Sequence, residues 1–91
     1  MQNRVRINTN RRRFELEADG YVAFSDYCRD NSVLTIKHTK VPKELEGRGI
    51  GSRLVRGELK IAREQGLKVV PKCPFVKAYI DKHPGFSDLL K

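Results

Sequence analysis

VPKELEGRGIGSRL, residues 41–54, decides how the rest of the chain is read. Glycines stand at positions 47, 49 and 51, and a helical spacing of apolar residues starts at once with Ile50, Leu54 and Val55. Glycine weakens a helix start unless its backbone freedom is used. A bare turn at a helix N-terminus does use it. Several N–H groups point one way, at the positive end of the helix dipole, and without Cβ atoms an anionic oxygen reaches them directly. Arg48 and Arg53 add charge at the rim. A phosphate or pyrophosphate fits such a turn, while a tight strand-to-helix connection with no ligand accounts for the same glycines equally well. The G-K-[ST] of a P-loop is absent, and so is the G-x-G-x-x-G spacing.

Downstream, Ile50, Leu54, Val55, Leu59, Ile61 and Ala62 fall on one broad helical face, with Arg53, Arg56, Lys60, Arg63 and Glu64 around the rest. Lys60 and Glu64 stand four apart and can pair weakly. Gly66 is a natural stop. Leu67–Val70 reads as a short strand with Pro71 near its end or at an edge. Pro74 suits the first turn of a second helix, over 74–82. His83-Pro84-Gly85 ends it, and residues 86–90 pack as a final turn.

Upstream the period is two. Arg4–Asn8 and Arg13–Glu17 alternate polar and apolar, with the turn-forming Asn8-Thr9-Asn10 between them. Asp19-Gly20 is a strong hairpin signal before an aromatic-rich strand, residues 21–27. Residues 29–32 turn again, into a strand over 33–39. Four antiparallel strands therefore precede the helix, which argues against a dinucleotide-binding Rossmann unit. A right-handed crossover then lays the fifth strand parallel to the fourth. The fold class is α+β, in one domain over residues 1–91.

Composition narrows the function classes. Nineteen Lys and Arg against eleven Asp and Glu give a net charge of +8. That surface attracts polyanions without choosing among nucleic acid, anionic membrane and phosphorylated small molecules. No apolar run approaches the roughly 20 residues that span a bilayer. MQNRVRINTNRRRF at the start has no apolar signal segment, so the expected compartment is the cytoplasm. Two cysteines imply no disulfide framework, and no Cys/His spacing suggests a metal site. Arg11-Arg12-Arg13 could contact nucleic-acid phosphates. A charged hairpin loop is the favoured reading, because no nucleic-acid-binding motif accompanies it.

Val41-Pro42 followed by Glu46-Gly47-Arg48-Gly49-Ile50-Gly51 resembles the acetyl-CoA signature of the GNAT superfamily of N-acetyltransferases, Gln/Arg-x-x-Gly-x-Gly/Ala at a strand–helix junction. Gly49 and Gly51 match it, while Glu46 stands where Gln or Arg is usual. The chain is more closely similar to a minimal GNAT-like family that combines an H-T-x-V-P stretch, a G-x-G turn and a P-x-C-x-[FY] segment. Here these are His38-Thr39-Lys40-Val41-Pro42, Gly49-Ile50-Gly51 and Pro71-Lys72-Cys73-Pro74-Phe75. The resemblance covers nearly the whole chain. It implies a mixed sheet with acetyl-CoA lodged where the two parallel strands splay apart. Backbone groups around Thr39 and Val41 would pair with the pantetheine arm, with His38 close by. Gly47, Arg48, Gly49, Ile50, Gly51 and Ser52 would hold the pyrophosphate.

Cys73 closes the fifth strand just before the second helix. The helix N-terminus and the nearby Lys72 and Lys77 favour a thiolate there, able to attack a thioester or to accept a proton from an amine. A small buried residue at a strand end is the competing reading, and the resemblance, which implies that Cys73 lies beside the acetyl-bearing sulfur, adds weight to function. Many GNAT enzymes carry on this helix a tyrosine that protonates the departing CoA thiolate; Tyr79 is the candidate here, although its spacing departs from theirs, and a core aromatic is an equal alternative. Glu44 and Glu46 read as solvated loop carboxylates, and Cys28 as packing. The expected function is acetyl transfer from acetyl-CoA to an amine on a small molecule or protein, directly or through an acyl-Cys73 intermediate. The rivals are a CoA-binding module without catalysis and a basic nucleic-acid-binding protein.

Overall fold

A computed structural model describes residues 4–91; the part of the signal-segment reading that rests on residues 1–3 lies outside them. Asp19 and Gly20 both adopt positive φ, 52° and 81°. That is the backbone of a two-residue hairpin turn whose twist matches its strands. The turn joins β2 (Arg13–Ala18) to β3 (Tyr21–Asp30), in a register that pairs Ala18 with Tyr21. β1 (Arg6–Asn8) lies antiparallel to β2, and β4 (Val33–Lys40) antiparallel to β3. The first hairpin turns later than Asn8-Thr9-Asn10 suggests, over Thr9–Arg12, where Arg12 takes a positive φ of 54°. β3 is also longer than expected. It runs on to Asp30, and the turn to β4 is reduced to Asn31 and Ser32.

Helix α1 (Ile50–Glu64) carries the chain over the sheet to β5 (Lys68–Pro71), which pairs parallel with β4 from Val33↔Lys68 to Ile36↔Pro71. The sheet order is β1-β2-β3-β4-β5. Gly66, at φ 69°, stops α1. Pro71 sits at the last position of β5, where its missing N–H costs no ladder bond. Pro74 opens α2 (Pro74–Lys82), and a 3-10 segment, Pro84–Leu89, follows. Leu90 then lies parallel to Val69 on the outer edge of β5.

The register places Phe14, Leu16, Ala23, Ser25, Tyr27, Leu34, Ile36 and Val69 on one face of the sheet, and all of them are buried. α1 supplies Leu54, Val55, Leu59 and Ala62 to the same core, together with Glu58. The opposite face is half open. There Glu15 is held by Arg13, Nε to Oε2 at 2.7 Å, with Asn8 and Arg6 near the same carboxylate, and the Arg13 guanidinium lies 4.4 Å from the centre of the Phe24 ring. Cys28 follows the inward-facing Tyr27 and so turns outward. It is exposed rather than packed, which corrects the expectation. Ile61 is only half-buried. Among the described residues Lys60 and Glu64 form no ion pair. The charged contact of this helix runs from Arg63 to Asp88 at 2.6 Å.

Candidate functional site

The parallel pairing of β4 and β5 stops at Ile36 and Pro71. A bulge at Lys37 marks the place. Tyr27 pairs with Ile36, while its neighbour Asp26 pairs with His38, so β4 holds one residue more than β3. The Ile36 carbonyl accepts from the N–H groups of both Lys72 and Cys73, at 3.0 and 3.1 Å. Beyond it, His38–Lys40 stay paired with β3 alone. A gap thus opens between the two strands, with Cys73 at its base and the free edge of residues 38–40 on one side.

The glycine turn lies at the far end of β4. A 3-10 turn, Lys43–Leu45, anchors Leu45 in the core, and Glu46 continues in extended conformation to Gly47. Gly47 and Gly49 take φ values of 77° and 72°, a region where a Cβ is strained. Gly49 is the N-cap of α1 and offers no side chain. The first bond in this helix runs from Arg53 N–H to the Gly49 carbonyl at 3.1 Å. The N–H groups of Ile50, Gly51 and Ser52 therefore have no partner within the helix, and no acidic residue stands in its first turn. Ile50 buries its side chain, which fixes this backbone against the core. Such a cradle suits a pyrophosphate.

Gly51 has another reason to lack a side chain. A Cβ there would stand 2.9 Å from Phe75 Cζ and 3.4 Å from Val41 Cγ2. Phe75, at 45% exposure, is one of the few large apolar side chains left open among the described residues. It bounds a cavity of about 260 Å³ together with Val41, Leu45, Glu46, Gly47, Gly49, Ile50, Gly51 and Ser52. Val41 just past β4, the glycine turn and Phe75 at the start of α2 therefore meet at one cleft. A larger cavity of about 450 Å³ lies elsewhere, against Arg12, Cys28, Arg29 and Gln65, and shares no residue with the three motifs. Arg48 does not rim the cleft as a free charge, because its guanidinium pairs with Asp19 in the β2–β3 turn at 2.5 Å. Glu46 contributes to the cleft wall.

Cys73 is buried at the N-cap of α2, and its thiol donates to Thr39 Oγ1 at 3.5 Å. Lys77 is engaged one turn further along α2, by Asp81 at 2.7 Å. Tyr79 is buried with its ring stacked on His83, centroids 4.0 Å apart, and 6.3 Å from Phe86. Its carbonyl accepts from His83 Nδ1–H at 2.8 Å. Among the described residues no hydrogen bond joins the Tyr79 hydroxyl to Cys73. His38 is exposed on β4. Thr39 is half-buried and hydrogen-bonds to Ser25, Oγ to Oγ1, at 2.8 Å.

Behind Thr39 lies a residue that the sequence reading missed. Glu58 is fully buried on α1, with Oε2 accepting from Ser25 Oγ at 2.7 Å and Oε1 without a partner. Burial pushes its carboxyl up to about 8, against the smaller opposing effect of the Ser25 hydrogen bond. Its position was a readable signal. Glu58 stands four residues from Leu54 and four from Ala62, in the middle of the apolar stripe.

Comparison with known proteins decides the family. The model of the GCN5-related N-acetyltransferase family matches residues 13–89, nearly all of the sheet and both helices. The chain belongs to this family. Protein NATD1 of Mus musculus is 29% identical over 89% of this chain and 76% of its own length. The Homo sapiens protein is also 29% identical, over 89% of this chain and 74% of its own length. The solution structure of a GCN5-like protein from Staphylococcus aureus superposes with a TM-score of 0.73 at 29% identity, covering 96% of this chain and 86% of that one. This member of the GCN5-related N-acetyltransferase family has the mixed sheet that the resemblance implies, with β4 and β5 as its parallel pair.

Proposed function

We propose that the protein transfers the acetyl group of acetyl-CoA to an amine. One observation carries this reading beyond family membership. The unpartnered N–H groups that open α1 line a cleft with Val41, the residue just past β4, and with Phe75 of α2, two residues from the buried Cys73. On this reading residues 47–52 bind the pyrophosphate through backbone N–H groups. Thr39 and Val41 pair with the pantetheine arm through main-chain groups, and His38 borders it. Bound acetyl-CoA supplies a thioester. Cys73 meets that thioester as nucleophile, or meets the amine as base. Tyr79 is the weaker candidate for returning a proton to the CoA sulfur, since its observed contacts are with His83 and Phe86. The acceptor is a small-molecule or protein amine. Glu46 in the cleft wall opposes an anion, which the backbone donors and the helix dipole outweigh if its carboxylate turns to solvent.

The test has two parts. CoA and acetyl-CoA should raise the melting temperature, by an amount equivalent to about 2.7 kcal/mol at a hundred times Kd. Thiol release over a panel of amines should then give turnover that Cys73→Ala abolishes. Stabilisation without turnover leaves a CoA-binding module. Failure to bind CoA, with salt-sensitive binding to DNA or RNA instead, supports the nucleic-acid reading. Full turnover by Cys73→Ala removes the cysteine from the chemistry.

A further inference from the structure

Four side chains from four different elements form one connected line. Glu58 of α1, Ser25 of β3, Thr39 of β4 and Cys73 at the start of α2 are linked by contacts of 2.7, 2.8 and 3.5 Å. Each hydroxyl has a single hydrogen to give. Ser25 gives its hydrogen to Glu58 Oε2, so it must accept from Thr39. Thr39, having given its own to Ser25, accepts from the Cys73 thiol. With Glu58 ionised, every donor in the line points toward the carboxylate.

We propose that this line is a proton wire by which Glu58 takes the proton of Cys73. The Cys73 S–H bond breaks as its proton joins Thr39 Oγ1. The Thr39 hydroxyl proton passes to Ser25 Oγ, and the Ser25 hydroxyl proton to Glu58 Oε2. Three bonds to hydrogen break and three form, leaving a thiolate at Cys73 and a neutral acid at Glu58 with no change in total charge. The hydrogen bonds then run in reverse, with Glu58 donating to Ser25, Ser25 to Thr39, and Thr39 to the sulfur. The same path returns the proton.

The environment supports this direction of transfer. A carboxylate sealed at full burial with one oxygen unpartnered is costly, and accepting a proton removes that charge. The negative charge moves instead to the N-cap of the nine-residue α2, at the positive end of its dipole. The purely structural account, a polar cluster filling the space between helix and sheet, explains the hydroxyl contacts. It leaves a buried carboxylate in the middle of an apolar stripe without a reason, since Gln or Met would fill the same space. Glu58 is thus a positioning residue for the thiol proton. The assignment rests on Cys73 as the reacting sulfur, but its test needs no acetyl-CoA, so the two readings can fail separately.

Among the described residues the other titratable side chains buried in the elements packed on α1 are Tyr27, Tyr79 and, on the opposite face of the sheet, Glu15 with its carboxyl held low by Arg13, while Arg53, Arg56, Lys60, Arg63 and Glu64 of α1 are exposed. The readout must therefore be specific to the sulfur and the carboxyl. In a Cys28→Ser background, NMR of isotope-labelled cysteine Cβ and glutamate Cδ follows both ends of the wire as pH is raised. Two coupled steps seen by both nuclei are expected. Glu58→Gln should collapse the Cys73 curve to a single step, with a midpoint moved by about one pH unit or more. Ser25→Ala breaks the wire without removing the carboxyl, and should make each nucleus report one step of its own. Should Glu58→Gln fail to fold, Ser25→Ala decides alone. An unchanged Cys73 curve in Ser25→Ala overturns the wire, and an unchanged curve in Glu58→Gln removes Glu58 from any influence on the thiol.

Discussion

Ser25 Oγ lies 2.7 Å from Glu58 Oε2 and is the sole hydrogen-bond partner of that carboxyl among the described residues. One donor does not offset full burial, and the carboxyl is pushed up to about 8 from 4.5. Between those values the folded protein holds a proton that the unfolded chain has released. The stability that neutral Glu58 contributes is complete below pH 4.5 and is lost as pH rises toward 8, at about 1.4 kcal/mol per pH unit. Glu58→Gln should remove this slope. Denaturant midpoints measured across the range should fall steadily in the wild type and stay level in the variant. Parallel curves would show that Glu58 ionises alike in both states.

Gly49 and Gly51 should behave differently. Gly49→Ala forces a Cβ into a left-handed backbone at the helix N-cap, and should cost roughly 1–2 kcal/mol in urea melts. Gly51 lies inside the helix, where alanine is intrinsically better by about 1 kcal/mol. Its new methyl meets the far end of the exposed Phe75 ring at 2.9 Å, which can swing aside. Gly51→Ala should therefore leave stability within about 0.5 kcal/mol of wild type, while CoA affinity, on the proposed function, falls because Phe75 in the cleft wall has to move. Equal loss of stability in the two variants would contradict this division of roles.

Much of this was legible in the sequence because local rules agreed with the global fold. Asp19-Gly20, Gly66 and Pro74 each require a particular backbone, and each sits where that backbone occurs. The helix over 74–82 follows from proline at its start and His83-Pro84 after it. The glycine cradle was readable for the same reason. What was not legible is what depends on contacts between distant elements. Arg48 looks free in sequence, but the fold brings Asp19 to it from 29 residues away. Cys28 looks like packing until the pleat is phased by Tyr27, which turns Cys28 outward. Glu58 is the instructive case. Its spacing from Leu54 and Ala62 marked it as inward-facing, but only the assembled sheet shows Ser25 and Thr39 waiting opposite.

Glu15 tests the other side of the sheet. Its carboxyl is held below the usual range, first by the Arg13 hydrogen bond against the opposing effect of burial, then by Asn8 and by the charges of Arg13 and Arg6. Stability from this carboxylate is present above pH 4.5 and is lost as pH falls through its lowered folded value. Arg13→Ala should cost roughly 1.5–3 kcal/mol near neutrality by leaving the carboxylate poorly paired. A further 0.5–1 kcal/mol or so goes with the stacking on Phe24 at every pH. The deficit should narrow as the solution is acidified and Glu15 becomes neutral in both proteins. A deficit independent of pH would assign the whole effect to Phe24.

Gly57 is the last position where a missing side chain decides packing. A Cβ there would lie 2.3 Å from Val5 Cγ2 and 2.5 Å from Val5 Cβ, so the residue leading into β1 rests directly on α1. Alanine in a helix interior gains about 1 kcal/mol over glycine, whereas overpacking costs typically 1–3 kcal/mol. The contact involves Val5 Cβ itself, which cannot rotate away, so the cost should win. Gly57→Ala should destabilise by about 1–2 kcal/mol and loosen the pairing of β1 with β2, read as faster amide exchange at Ile7. Val5→Ala keeps the atom at 2.5 Å and should give little relief. In a Val5→Gly background the obstacle is gone, and Gly57→Ala should become stabilising by up to about 1 kcal/mol. That reversal of sign is the decisive outcome, because a general intolerance of α1 to substitution would keep the variant destabilising in both backgrounds.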